Sequence, residues 1–124
     1  MNKILIIEDN SNIRNELIEF LERYGYEAYG SDDFKNIVNT ALNDEPDLIL
    51  LDINLPYYDG YYICREIRKS KDTPIIVVTS RDSDMDEIMS INFGADDFVT
   101  KPYNTAVLLA RISSLLRRTS SYNL

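Results

Sequence analysis

Leu48-Ile49-Leu50-Leu51-Asp52 decides the fold. Four apolar residues without polar alternation describe a strand covered on both faces, as in a parallel sheet, and the carboxylate that closes the run marks where the chain leaves the core. Ile4-Leu5-Ile6-Ile7 repeats the pattern and ends in Glu8-Asp9; Ile75-Ile76-Val77-Val78 repeats it again and ends in Thr79. Weaker strand segments at Glu27–Tyr29 and Phe98–Thr100 bring the expected strands to five.

Helical spacing fills the intervals. Ile13, Leu17, Phe20, Leu21 and Tyr24 predict one apolar stripe, and Phe34, Ile37, Val38, Ala41 and Leu42 predict another. Ile63, Cys64 and Ile67 give a shorter version, and the spacing returns in Met85, Ile88, Met89 and Phe93 and in Leu108, Ile112, Leu115 and Leu116. An alternating βα chain makes a parallel sheet with helices on both faces, because each crossover is right-handed and each stripe needs a sheet face. The chain is too short for an eight-stranded barrel of ~250 residues. The expected fold is therefore a five-stranded α/β sheet in the flavodoxin-like order 2-1-3-4-5. Its ligands lie beyond the carboxyl ends of the first and third strands, where the winding reverses.

Composition narrows the chemistry. With 124 residues and 44% hydrophobic content, one domain is expected. Thirteen Lys and Arg against 21 Asp and Glu leave a net charge of −8, which opposes the basic footprint of a nucleic-acid surface. There is no histidine, so imidazole bases, Ser-His-Asp or Cys-His triads and His-containing metal sites are excluded. Cys64 is the only cysteine, which forbids an internal disulfide and fits a reducing cytosol. No apolar run approaches the ~18–20 residues of a membrane span, so a cytoplasmic protein without a membrane partner is expected.

In the expected order the first and third strands are neighbours ~4.8 Å apart, which gathers Glu8, Asp9 and Asp52 at one edge of the sheet. Oxygen ligands without nitrogen or sulfur favour a hard divalent cation, and few carboxylates with room for water suit Mg²⁺ better than Ca²⁺. Taken singly, the Glu-Asp pair reads equally as a helix-capping loop and Asp52 as a polar strand end. Thr79 and Lys101 reach the same edge and supply a hydroxyl donor and a compact cation. An anion that joins an acid cluster is most simply a phosphoryl group.

The segments ILIIED (Ile4–Asp9), DLILLDINLP (Asp47–Pro56), PIIVVTS (Pro74–Ser80) and GADDFVTKPY (Gly94–Tyr103), in this order and spacing, closely resemble the receiver domain of two-component response regulators. The last segment and the ending Leu109-Ala110-Arg111-Ile112 to Arg117-Arg118 are most similar to the winged-helix transcriptional subfamily. The resemblance implies that Asp52 accepts a phosphoryl group from a histidine kinase, giving an aspartyl phosphate, and that Mg²⁺ is held by Glu8, Asp9, Asp52 and the backbone carbonyl of Asn54. It implies that Lys101 pairs with Asp52 and then with the phosphoryl oxygens, that Thr79 donates to one of those oxygens, and that a cis Lys101–Pro102 bond aims the lysine. Phe98 occupies the place of the family's aromatic switch, or is a core ring.

The resemblance divides the chain into a receiver domain, residues 1–118, and the start of a linker, residues 119–124, to a winged-helix DNA-binding domain absent here. It also implies a homodimer through the fourth helix, fifth strand and fifth helix, with DNA contacted only by the absent domain. Asp97 and Arg111 match one of the family's paired charges across that dimer, whereas Glu87, Val107 and Ser113 depart from the pattern and imply a weaker or more apolar interface. Tyr57 and Tyr58 replace the usual small residues beside the acceptor loop, either as a shield, as a kinase contact or as loop tyrosines without a role. Asn54 and Ser80 flank the acceptor and are expected to tune phosphoryl lifetime. Such a chain catalyses only its own phosphoryl acceptance and slow dephosphorylation. The alternatives are a degenerate receiver serving as an interaction module, a Mg²⁺-dependent aspartyl phosphatase, and a flavodoxin-like cofactor binder. The phosphatase normally carries an acid where this chain has Asn54, and the cofactor binder needs a Gly-rich loop where this chain has Asp9-Asn10-Ser11-Asn12.

Overall fold

A computed structural model describes residues 2–122, with the side chains of 120–122 excepted. The elements are β1 (Lys3–Ile7), α1 (Ser11–Arg23), β2 (Glu27–Gly30), a 3₁₀ turn (Phe34–Asn36), α2 (Ile37–Asp44), β3 (Leu48–Leu51), α3 (Gly60–Arg68), β4 (Ile75–Thr79), α4 (Asp84–Asn92), β5 (Asp97–Thr100) and α5 (Thr105–Tyr122). The sheet is entirely parallel in the order β2-β1-β3-β4-β5, with Ile7 beside Leu51 and Thr79 beside Thr100. That is the expected flavodoxin-like topology.

Successive strand residues point to opposite faces, and the core divides accordingly. Ile4, Ile6, Leu48, Leu50, Ile76 and Val78 meet Leu17 and Leu21 of α1 and Leu108, Ile112 and Leu115 of α5. Leu5, Ile7, Ile49, Leu51, Ile75 and Val77 meet Ile37, Ala41, Ile63, Cys64 and Ile67 on the other side. Both faces of β1, β3 and β4 are thus buried, which is why their sequences show runs rather than alternation. Side-chain oxygens start four helices: Asn10 accepts from Ile13 N–H, Asp59 from Tyr62 N–H, Ser83 from Asp86 N–H, and Asn104 from Ala106 and Val107 N–H.

Two expectations are corrected. Met85 and Ile88 do not pack as a core stripe: they are 63% and 52% exposed, Ile91 joins them at 45%, and α4 turns Ser90 inward instead. The hydroxyl of Ser90 donates to Asp86 O, and the Asp86 carboxylate accepts from Tyr61 of α3, so the inner side of this helix is its polar side. Only Met89 and Phe93 of the expected stripe are half-buried. The end of the chain differs too: α5 continues through Tyr122 rather than giving way after Arg118, since neither Gly nor Pro interrupts it and Thr119 Oγ1 donates to Leu115 O. Asn123 and Leu124, also assigned to a linker, lie outside the described residues. Tyr24 is a smaller difference, standing past the end of α1, exposed, with its ring tilted against Phe20.

Arg68 staples α3 to the entry of β5. Its guanidinium donates to Gly94 O (2.8 Å), Thr73 O (2.7 Å) and Asp96 Oδ2 (2.8 Å), and that same carboxylate oxygen accepts from Ile75 N–H. Gly94 has φ +114°, and a Cβ there would lie 2.4 Å from Arg68 Cγ. Gly94→Ala is therefore expected to remove about 1–3 kcal/mol of stability, through left-handed strain and displacement of the arginine. Urea unfolding should give a lower midpoint with an unchanged slope.

Candidate functional site: an acid cluster at the strand ends

β1 and β3 end side by side, and Asp52 N–H extends their ladder by donating to Ile7 O. This register brings Glu8 and Asp9 to Asp52, and one carboxylate oxygen from each lies within 4.8 Å of the others. Glu8 and Asp52 are buried, whereas Asp9 faces solvent. Asp52 Oδ1 accepts from Ile53 N–H at 2.7 Å and weakly from Asn54 N–H at 3.3 Å, which fixes the plane of the carboxylate. Glu8 Oε2 accepts from Asn10 N–H at 3.1 Å.

Lys101 arrives from the end of β5. Its ammonium donates to Glu8 Oε1 and, at 3.0 Å, to Asp52 Oδ2, and the Lys101–Pro102 peptide is cis. Burial opposes a charged lysine, but its hydrogen bonds to Glu8 and Asp52 and their negative charges hold its pKa above the ordinary lysine value. Burial also pushes the Glu8 carboxyl up, outweighing the pull of Lys101, with the charge of Asp52 adding to the rise. Two acids thus share one ammonium, and Asp9 is left facing them. Three carboxylates without nitrogen or sulfur form a donor set that fits a hard divalent cation.

Thr79 is fully buried at the end of β4, one residue before the surface, and its carbonyl accepts from Lys101 N–H. Phe98 is half-buried against the sheet face that carries α2 and α3. Asn54 is exposed, and its side-chain carbonyl accepts from Arg81 Nε at 2.9 Å. Asp97 and Arg111 pair within the chain, Arg111 Nη1 donating to both carboxylate oxygens at 2.8 and 3.0 Å. Ser113 accepts from Arg117, and Glu87 and Val107 are exposed. Tyr57, at φ +68°, lies under the ammonium of Lys35, and Tyr58 stacks on Tyr62 with ring centroids 4.7 Å apart.

Sequence reasoning passed over three residues that shape this site. Gly60 lets α3 begin against the acceptor loop, for a Cβ there would sit 2.4 Å from Asp52 O. Arg81 reaches from the β4–α4 loop to Asn54. Arg14 is buried on α1; it shares a face with Leu17 and Leu21, and a charge in that periodicity was the available signal.

The response regulator receiver domain family matches the chain over residues 4–113. The transcriptional regulatory protein YxdJ of Bacillus subtilis is 47% identical over 95% of this chain and 52% of its own length. The response regulator protein GraR of Staphylococcus saprophyticus is 40% identical over 98% of this chain and 54% of its own length. This chain therefore spans about half the length of these curated relatives. Among solved structures, the BeF3-activated N-terminal receiver domain of RstA from Klebsiella pneumoniae superposes with a TM-score of 0.89 at 36% identity, covering 94% of this chain and 99% of that one. The N-terminal domain of the nisin resistance regulator NsrR superposes with a TM-score of 0.84 at 38% identity, covering 94% and 98% respectively.

The raised pKa of Glu8 carries a sign. The native chain binds this proton more tightly than the unfolded chain, whose value lies near 4.5, so the group favours folding at low pH and its contribution is lost as pH rises through the native value. In metal-free buffer the urea midpoint should fall as pH rises above the unfolded-state value, and Glu8→Gln should flatten that fall.

Proposed function

Because this chain belongs to the response regulator receiver family, we propose that it is a phosphorylation-controlled switch in which Asp52 accepts a phosphoryl group from a histidine kinase. The convergence of Glu8, Asp9 and Lys101 on Asp52 carries the reading. The donor set would be Glu8, Asp9, Asp52 and the carbonyl of Asn54. Mg²⁺ bound there would supply positive charge to the equatorial oxygens of the transferring group.

Transfer needs no protein base. The ionised Asp52 carboxylate attacks phosphorus in line, an oxygen–phosphorus bond forms, the phosphorus–nitrogen bond of phosphohistidine breaks, and imidazole departs with that electron pair. Ile53 N–H holds the attacking carboxylate in one plane. Lys101 is already within reach of Asp52 and follows the new charge onto the phosphoryl oxygens. Thr79 would turn its hydroxyl to the same group. Water attacking the acyl phosphate reverses the switch, and Asn54 and Ser80 border its path. Half-buried against the sheet face, Phe98 would register the movement of Thr79.

The energetics favour a switch that a partner completes. Moving an equilibrium from 1:99 to 99:1 takes about 5.5 kcal/mol of differential stabilisation. Hydrogen bonds from Thr79 and Lys101 to a charged group contribute about 1.5–3 kcal/mol each, and Lys101 is already engaged with Asp52. The remainder would come from self-association through α4, β5 and α5, where Met85, Ile88, Ile91 and Val107 stand exposed. Asp97 and Arg111, paired within the chain, flank that surface. In the full-length protein a winged-helix domain, joined through the segment that follows residue 118 and absent from this chain, would then bind DNA as a dimer, in the cytoplasm. Among the described residues no helix is long and apolar enough to cross a membrane.

Incubation with a small phosphodonor and Mg²⁺, followed by intact mass, should reveal one added phosphoryl group, absent in Asp52→Asn. A wild-type chain that stays unmodified would refute the switch. With a phosphoryl mimic present, sedimentation should detect a dimer that dissociates on dilution. Ile88→Asp should shift that dissociation to at least tenfold higher concentration while leaving phosphorylation intact.

A further inference from the structure

Arg14 is the buried cation that the reading above does not use. It stands on the first turns of α1, and its guanidinium makes two contacts: Nη1 donates to the main-chain carbonyl of Glu8 at 2.9 Å, and Nη2 pairs with Asp32, just past the end of β2. The room for it is made by Gly30, where a Cβ would lie 2.5 Å from Arg14 Cδ and 3.2 Å from Ile6 O. Two sequence choices on β2 and its exit, a missing side chain and a carboxylate, thus serve to hold one arginine. That arginine ends on the backbone of a residue whose own side chain belongs to the acid cluster.

From this geometry we infer that Arg14 is a positioning residue: by fixing the Glu8 carbonyl it sets the turn that presents the Glu8 and Asp9 carboxylates to Asp52 and to a divalent cation. The inference rests on the proposed cation site. Glu8 is the residue at which β1 leaves the sheet, so rotation of its peptide would move both acids together. Other ties act on the same turn: Asn10 N–H and the Lys101 ammonium donate to the Glu8 carboxylate, and Asn10 O accepts from Arg14 N–H. None of them restrains the carbonyl that Arg14 holds. Groups that orient ligands without touching the metal typically change its affinity 10–100-fold when removed, which sets the expected size.

Calorimetric titration with MgCl₂ separates positioning from mere support of the fold. Arg14→Met should weaken Mg²⁺ binding roughly tenfold or more, while the phosphorylation rate from a small phosphodonor recovers toward the wild-type value at saturating Mg²⁺. Arg14→Lys, with one donor centre in place of a fork, should fall between the two, and Asp32→Ala should weaken binding less than Arg14→Met. If Arg14→Met is folded by circular dichroism and binds Mg²⁺ as the wild type does, Arg14 only supports the fold and the inference is overturned. If Arg14→Met does not fold, wild-type affinity in both Arg14→Lys and Asp32→Ala overturns it equally. A wild-type chain that binds no Mg²⁺ removes the cation site itself and this inference with it, an outcome distinct from normal binding that ignores Arg14.

Discussion

Like charges at the end of two adjacent parallel strands repel, and this chain places three of them within 4.8 Å, two in positions largely withdrawn from water. In a low-dielectric setting such a group is tolerable only with compensating cations close by. One is built in. Lys101 crosses from the far side of the sheet to bond Glu8 and Asp52 together, so β5 is tied electrostatically to β1 and β3 across the intervening β4. The compensation is incomplete, because one ammonium faces three carboxylates. The site is consequently stable enough to fold and still receptive to further positive charge.

The same arrangement explains why an ordinary carboxylate suffices for the proposed chemistry. Asp52 has one oxygen tied to backbone and the other to the Lys101 ammonium, so its orientation is fixed while the cation that balances its charge can be shared with an incoming group. No group in the cluster has to remove a proton before attack. What distinguishes Asp52 from the other aspartates is its place at the reversal of winding, flanked by Gly60, whose missing side chain allows α3 to start against the loop.

Strand topology and the acid cluster were legible because burial on both faces leaves uninterrupted apolar runs, and the residues closing those runs must emerge at one edge. The weaker strands needed only small adjustment, to Glu27–Gly30 and Asp97–Thr100. Helix orientation was less legible. Periodicity locates an apolar side on α4 but not the direction it faces, and here Asp86 and Ser90 claim the interior through bonds to Tyr61 and to the helix backbone. The spacing of Arg14 with Leu17 and Leu21 signals its burial, but its partners are a carbonyl and an exposed aspartate on another loop, which no local spacing encodes. The end of α5 was not legible either, because the apolar stripe stops at Leu116 while the Thr and Ser residues that follow, without Gly or Pro, allow the helix to continue through Tyr122.

The staple formed by Arg68 has a mechanical corollary. Gly94, immediately beyond α4, is held by a multidentate guanidinium that also grips Thr73 and Asp96, whereas the opposite end of the helix is moored by one tyrosine hydroxyl on Asp86 and a looser 3.6 Å ion pair from Arg81. A rod anchored so unevenly would pivot about its tight end. Its loosely held end would travel farthest, and that end adjoins the loop bearing Arg81 beside the acceptor; the oily flank of α4 would then be re-aimed by leverage, with no need for the rod itself to unwind.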